Sequence, residues 1–164
     1  MEFDHAFAWL QATPVAKAIS ENEILFPWIE SVHVLAIVLV VGTISIVDLR
    51  LLGIASLDRS ARRLMQDVLP FTWGAFVVAA ITGSLMFASD AVNYAHNFFF
   101  RGKLVLLMLA GLNMAVFHLI GVGNIARWGV TRQTPWPAKA AAAISLLMWM
   151  AVVAFGRGIG FTMH

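Results

Sequence analysis

Phe26-Pro27-Trp28-Ile29-Glu30-Ser31-Val32-His33-Val34, continuing to Gly42 and Asp48-Leu49-Arg50, is the stretch that decides the fold. The 17 residues between Glu30 and Asp48 contain no Asp, Glu, Lys or Arg, and His33 is the only titratable side chain among them. Pro27 suits the first turn of a helix, where its missing N–H costs nothing. A helix from Pro27 to Leu52 would run ~39 Å at ~1.5 Å per residue, enough to cross a bilayer. An ionisable side chain inside such a span is a functional candidate from the outset.

Three more uncharged runs lie downstream: Val68–Ser89, Leu104–Ala126 and Ala140–Gly156. The chain is 60% hydrophobic and 12% charged, with a mean hydropathy of +0.83, which is too apolar for an ordinary soluble domain. These runs predict an all-α integral membrane four-helix bundle over residues 24–164, with spans at about 27–52, 68–89, 102–125 and 138–158. Cysteine is absent, which excludes disulfides and thiolate–metal sites. A net charge of +2 points to no nucleic-acid partner. Glycines in or at the ends of the spans, among them Gly42, Gly102, Gly111 and Gly156, predict close helix approach without a GxxxG spacing.

Residues 1–23 carry two shorter patterns. Phe3, Phe7 and Leu10 share a helical face with Trp9 beside it, and Thr13-Pro14 reads as the cap and first turn of a second helix through Ser20. Neither piece can span, so both are expected to lie on the membrane surface as amphipathic interfacial helices. Glu2 and Asp4 stand where a signal peptide would carry basic residues, which predicts no cleaved signal.

Charge asymmetry sets the expected orientation. Arg50, Arg59, Arg62, Arg63, Arg127, Arg132 and Lys139 place seven of the eleven basic residues on one side. Lys17, Arg101, Lys103 and Arg157 fall on the other, with Glu2, Asp4, Glu21, Glu23 and Glu30. The positive-inside rule then puts both termini in the periplasm of a bacterium, with the chain in its inner membrane.

The polar residues inside the spans form two layers. His33 and Asp48 are 15 residues apart on the first span, and so are Lys103 and His118 on the third. Each gap is ~22 Å along a helix axis and ~60° around it, so His33 lying level with Lys103 would set Asp48 level with His118. The lower pair can pass or hold a proton, since an aspartate favours a neighbouring imidazolium. The upper layer gathers Glu30, His33, His96, Arg101, Lys103 and Arg157. Imidazole ligates iron, copper or zinc, porphyrin fits inside four-helix bundles, and propionates seek Arg or Lys at the rim. That set predicts haem b, one or two per chain, with His33 as an axial ligand. Depth keeps His118 from the same iron, so Lys103, His96 or water would complete it. Each residue also has a plainer role: His33 hydrogen-bonded to Glu30, His96 solvated in a loop, Lys103 and Arg157 as interfacial cations, and His118 paired with Asp48 or Asn113.

At His33, Gly42, Asp48-Leu49-Arg50-Leu51-Leu52-Gly53, Lys103 and His118, over roughly residues 24–125, the chain resembles small four-helix bacterial membrane proteins. It looks most like a domain family related to the copper-resistance membrane protein CopD and to the haem-containing protoporphyrinogen oxidase HemJ. The resemblance implies haem at the histidine early in span one and the lysine opening span three, here His33 and Lys103. It departs from that pattern in its long N-terminus and in its Asp-Leu-Arg-Leu-Leu-Gly exit. Three functions of different class follow. One is a b-type haem protein for electron transfer or a membrane-linked oxidation, working with a redox partner that the sequence does not identify. The second is a copper-handling permease like CopD, whose sulfur ligands would have to come from scattered methionines such as Met148 and Met150. The third is a cofactor-free scaffold. The chain is expected to act as a homo-oligomer or as a subunit of a larger membrane complex.

Overall fold

A computed structural model of the chain describes residues 2–56, 58–128 and 134–162, with side chains from residue 4 onward except those of 120–128. Expectations resting on the side chains of Phe3, Arg127, Trp128, Arg132 and His164 fall outside the described set. The elements are α1 (Glu2–Gln11), α2 (Pro14–Glu21), α3 (Leu25–Leu52), α4 (Ala61–Ser89), α5 (Ala91–His96), α6 (Phe98–Trp128) and α7 (Trp136–Thr162). Four stretches, Leu25–Leu52, Ala61–Ser89, Phe98–Leu119 and Trp136–Thr162, are long and apolar enough to cross a membrane.

Local chemistry explains the ends. Asn22 Oδ1 accepts from the Ile24 and Leu25 amides at 2.9 and 3.0 Å and so starts α3. Gly53 stops it at φ 82°, where a side chain would be strained, and its N–H and that of Ile54 close onto the Arg50 and Leu49 carbonyls. Ser60 caps α4, which therefore begins seven residues before the uncharged run from Val68. Asn97 caps α6 through the Phe100 amide and donates to Thr162 Oγ1 at 2.8 Å, tying the start of α6 to the end of α7.

The long helices alternate in direction. α3 packs along α4 and against α7, and α6 packs along α7, whereas α4 and α6 barely touch. The bundle therefore has one loosely closed seam, between α4 and α6. On α3 the inward stripe is Ala36, Val40, Val47 and Leu51, with Asp48 beside it, and on α4 it is Ala75, Thr82 and Ser89. Spacings of three, four and seven are those of helices packing nearly antiparallel with interlocked side chains. Thr72 Oγ1 meets Thr43 Oγ1 at 2.9 Å across this seam of α3 and α4.

Close approach is concentrated between α6 and α7. The Phe155 ring lies where a Cβ on Gly102 would be, and Phe99 lies 2.6 Å from a Cβ built on Gly158. Gly42 and Gly111, by contrast, face open space, so the expectation of tight packing there is corrected. Glycine by itself brings no neighbour closer; only the facing aromatic does.

The structure adds three details. Arg50 lies within α3, only 3% exposed, and its Nε donates to the Arg59 carbonyl at 2.7 Å. It pins the turn after α3. An Arg50→Met protein should lose ~1.5–3 kcal/mol, because a charged donor is removed and a carbonyl is left without it. Chemical denaturation in detergent would show this, and an unchanged midpoint would refute it. The segment after α4 is not a plain loop but contains α5. Finally, α1 and α2 dock on the bundle. Ala16 and Ile19 are buried as α2 packs on α4, while α1 packs on α4 and α5. Phe7 meets Phe87 edge-on at 5.8 Å, Phe87 stacks on Phe100 at 5.2 Å, and Gln11 Nε2 donates to Asp90 at 3.3 Å. These short helices form a cap over one end of the bundle, with Trp9 and Val15 facing outward. The opposite end is the loop end.

Candidate functional site

The structure sets polar side chains at two depths. Near the cap, His33 Nδ1 lies 2.9 Å from Thr82 Oγ1, and the Ala79 carbonyl is close to the same ring. Thr82 Oγ1 sits 2.7 Å from the Val78 carbonyl. With Thr82 donating to a backbone carbonyl, His33 Nδ1–H donates to the hydroxyl oxygen and the lone pair is on Nε2; with the hydroxyl turned to His33, the roles reverse. The ring lies over Gly83, where a Cβ would stand 2.9 Å from Cε1. Glycine is thus what lets the imidazole lie flat against α4.

Lys103 reaches the same layer from α6. Its Nζ lies 3.8 Å from a Cβ built on Gly156 of α7, and its charge is close enough to act on the His33 ring. His33, Thr82, Gly83, Lys103 and Gly156 therefore bring all four long helices to one level. Arg101 and Arg157 stand exposed near this end, with the Arg157 guanidinium 5.1 Å from the Phe161 ring centre.

His96 is turned to the cap: it is 66% exposed, donates through Nδ1 to the Val92 carbonyl at 2.9 Å, and lies 3.5 Å from Asp4 of α1. Glu30 is exposed, one turn before His33 on α3. The Tyr94 phenol is pushed up by burial first, then by the charges of Asp90 and Glu30.

Toward the loop end the four long helices enclose a cavity of about 200 Å³. Its walls are mostly apolar; Asp48, Thr72, Asn113, His118 and Ser145 line it, with the indoles of Trp73 and Trp149. Asp48 is 6% exposed; Ser145 approaches its carboxyl, yet Oδ2 is fully buried with no hydrogen-bond partner among the described residues. His118 Nδ1 donates to the Met114 carbonyl at 2.9 Å, which turns Nε2 into an acceptor. Asn113 Nδ2 donates to the Ala141 carbonyl at 3.1 Å, leaving Oδ1 to accept. Val47, Leu51, Ala61 and Ala142 form the packed core at this end.

Sequence reasoning missed Thr82, Gly83 and Ser145, because none of them titrates. A signal was present: Thr72, Ala75, Ala79, Thr82 and Ser89 form a stripe of small residues on α4. Such a stripe marks the face that receives a neighbour's side chain.

The chain belongs to DUF6644, a family of unknown function, whose model matches residues 15–162. No curated protein and no solved structure matches it, so the likeness to CopD and HemJ rests on the residues quoted above.

Proposed function

We propose that this member of DUF6644 is a multi-pass bacterial inner-membrane protein that holds haem b at the cap end of its bundle and serves electron transfer or a membrane-linked oxidation. One observation carries the reading: Thr82 Oγ1 engages His33 Nδ1 at 2.9 Å within the bundle, so that Nε2 is the nitrogen left for a metal. An outer-shell partner on one ring nitrogen is how proteins aim the other at a metal. The residues fit the group in three further respects. Gly83 gives the ring room, Lys103 faces the same level, and the loose seam between α4 and α6 leaves a side where a flat macrocycle can lie. His33 would be the axial ligand, Lys103 the second, and Arg101 and Arg157 the partners of the propionates. Haem b would supply a one-electron couple; the chain would orient it and screen it from water behind the cap.

The copper alternative is weaker. Among the described residues no three His, Cys, Asp or Glu side chains gather as a metal-binding group, and Met150 faces outward, away from any shared site with Met148. The test is an absorption spectrum with a pyridine haemochrome assay on protein made with haem available. A Soret band and a b-type haemochrome are expected. An intact colourless protein would remove the reading and leave copper content to separate permease from scaffold.

Orientation is part of the proposal. The seven-to-four division of basic residues puts the loop end in the cytoplasm and both termini in the periplasm. Reporter fusions at Ala61 and Val92 should report opposite sides, cytoplasmic and periplasmic. The same side for both would sink the four-span topology.

A further inference from the structure

We propose that the cavity at the loop end binds the ring of a lipid-soluble hydroquinone, with Asp48 Oδ2 accepting a phenolic O–H. Nothing in the haem reading is needed for this; the two sites lie at different depths on α3.

Size comes first. An apolar cavity of ~150 Å³ is enough for benzene, so about 200 Å³ suits one substituted ring. Access comes second. Trp73 and Phe76 of α4 and Met114 of α6 line the cavity and are also exposed on the outer surface. They lie on the seam where α4 and α6 barely touch, so the cavity opens sideways toward the lipid. A ligand arriving that way is neutral, because an ammonium would have to cross hydrocarbon. A long apolar tail can stay in the seam.

Hydrogen bonding comes third and selects the redox form. The cavity is lined by donors as well as acceptors, among them the Ser145 hydroxyl and the Trp73 and Trp149 indoles, so the selecting group is Asp48, whose Oδ2 is buried without a partner among the described residues. A buried carboxyl oxygen without a partner is costly, and a donor supplied by a ligand removes that cost. A hydroquinone carries two O–H donors. A quinone carries none and leaves Oδ2 unsatisfied.

The full chain in lipid nanodiscs tests this by anaerobic equilibrium dialysis with tetramethylhydroquinone, counted above empty nanodiscs. Saturable uptake near one per chain is expected, tighter than that of tetramethylquinone by ~10-fold, the worth of one good hydrogen bond. Asp48→Leu should weaken binding by ~10-fold while leaving the fold intact, because it replaces a buried carboxyl with one unpartnered oxygen by an apolar group. Gly111→Leu should abolish binding: Gly111 lines the cavity and a Cβ there meets nothing within 4 Å, so the side chain fills the space. The proposal is overturned by no saturable uptake in the wild type, by equal or tighter uptake of the quinone, by tighter binding of phenethylamine, or by unchanged binding in both variants. Because dialysis reads binding on coloured and colourless protein alike, failure here leaves the haem reading standing, and a colourless protein that binds leaves this one standing.

Discussion

A His33→Ala protein inserts in the membrane, keeps its four long helices and loses the Soret band completely. The expectation rests on depth and on orientation. His118 lies 15 residues from the level that Lys103 shares with His33, ~22 Å along α6, too far to replace the ligand. His96 is turned toward Asp4 on the cap and donates its Nδ1 proton to a backbone carbonyl. Nothing else at that level can hold iron except Lys103, and a lysine alone does not retain haem. Folding should survive, because His33 is only half-buried and its loss frees Thr82 without leaving it unsatisfied: the hydroxyl still donates to the Val78 carbonyl. Two neighbours grade the effect. Thr82→Val should keep haem but shift its spectrum, since the ring loses its contact with the hydroxyl. Gly83→Ala should do more, because the new methyl stands 2.9 Å from Cε1 and drives the ring off α4. Spectra of the three variants at matched protein concentration decide it. A normal Soret band in His33→Ala would falsify the ligand assignment.

A Gly102→Leu protein should be the least stable of the single variants. Phe155 occupies the position of a Cβ at Gly102, and Phe99 occupies that at Gly158, so each helix buries an aromatic ring on the other's glycine. The rings interlock as Phe98, Phe99 and Phe155, with centroid separations of 5.7 to 6.1 Å. Both helix ends are also tied by Asn97 and Thr162, so α6 and α7 cannot simply separate to admit the new side chain. Overpacking of this kind costs ~1–3 kcal/mol and sometimes more. The measured outcome is a clear fall in the thermal midpoint in detergent, with loss of the Phe-rich contact. Gly42→Ala is the control. It meets nothing within 4 Å, so it should be neutral or stabilise by up to ~1 kcal/mol from helix propensity. Equal midpoints for Gly102→Leu and the wild type would show that α6 and α7 do not meet as described.

Much of the candidate site was legible because charge is rare in this chain. With 12% charged residues, an intramembrane His, Asp or Lys stands out without any structure. The shared 15-residue spacing on the first and third spans also carries into the structure as two polar depths, one with His33 and Lys103 and one with Asp48 and His118. What was not legible is how each group is served. Thr82 turns His33, Gly83 and Gly156 make room, and Ser145 approaches Asp48; these residues carry no charge and no motif. The chain also gave no sign that His96 belongs to the cap, since proximity in sequence to a span end does not say which way a side chain turns.

The sequence by itself determined the four long helices, their alternation and the depth of their polar residues. Hydrophobic run length and helical rise are local quantities, and a bilayer leaves backbone polar groups few other ways to be satisfied. Only the tertiary structure decided which pairs of helices close and which stay apart. The tight contact of α6 with α7 depends on a Phe of one meeting a Gly of the other, and the loose seam of α4 with α6 depends on the lack of such a match. Both are properties of two faces at once, and neither face can be read from its own strand of sequence. The same holds for the cap, where Phe7 of α1 meets Phe87 of α4, and for Arg50, whose Nε donates to the Arg59 carbonyl.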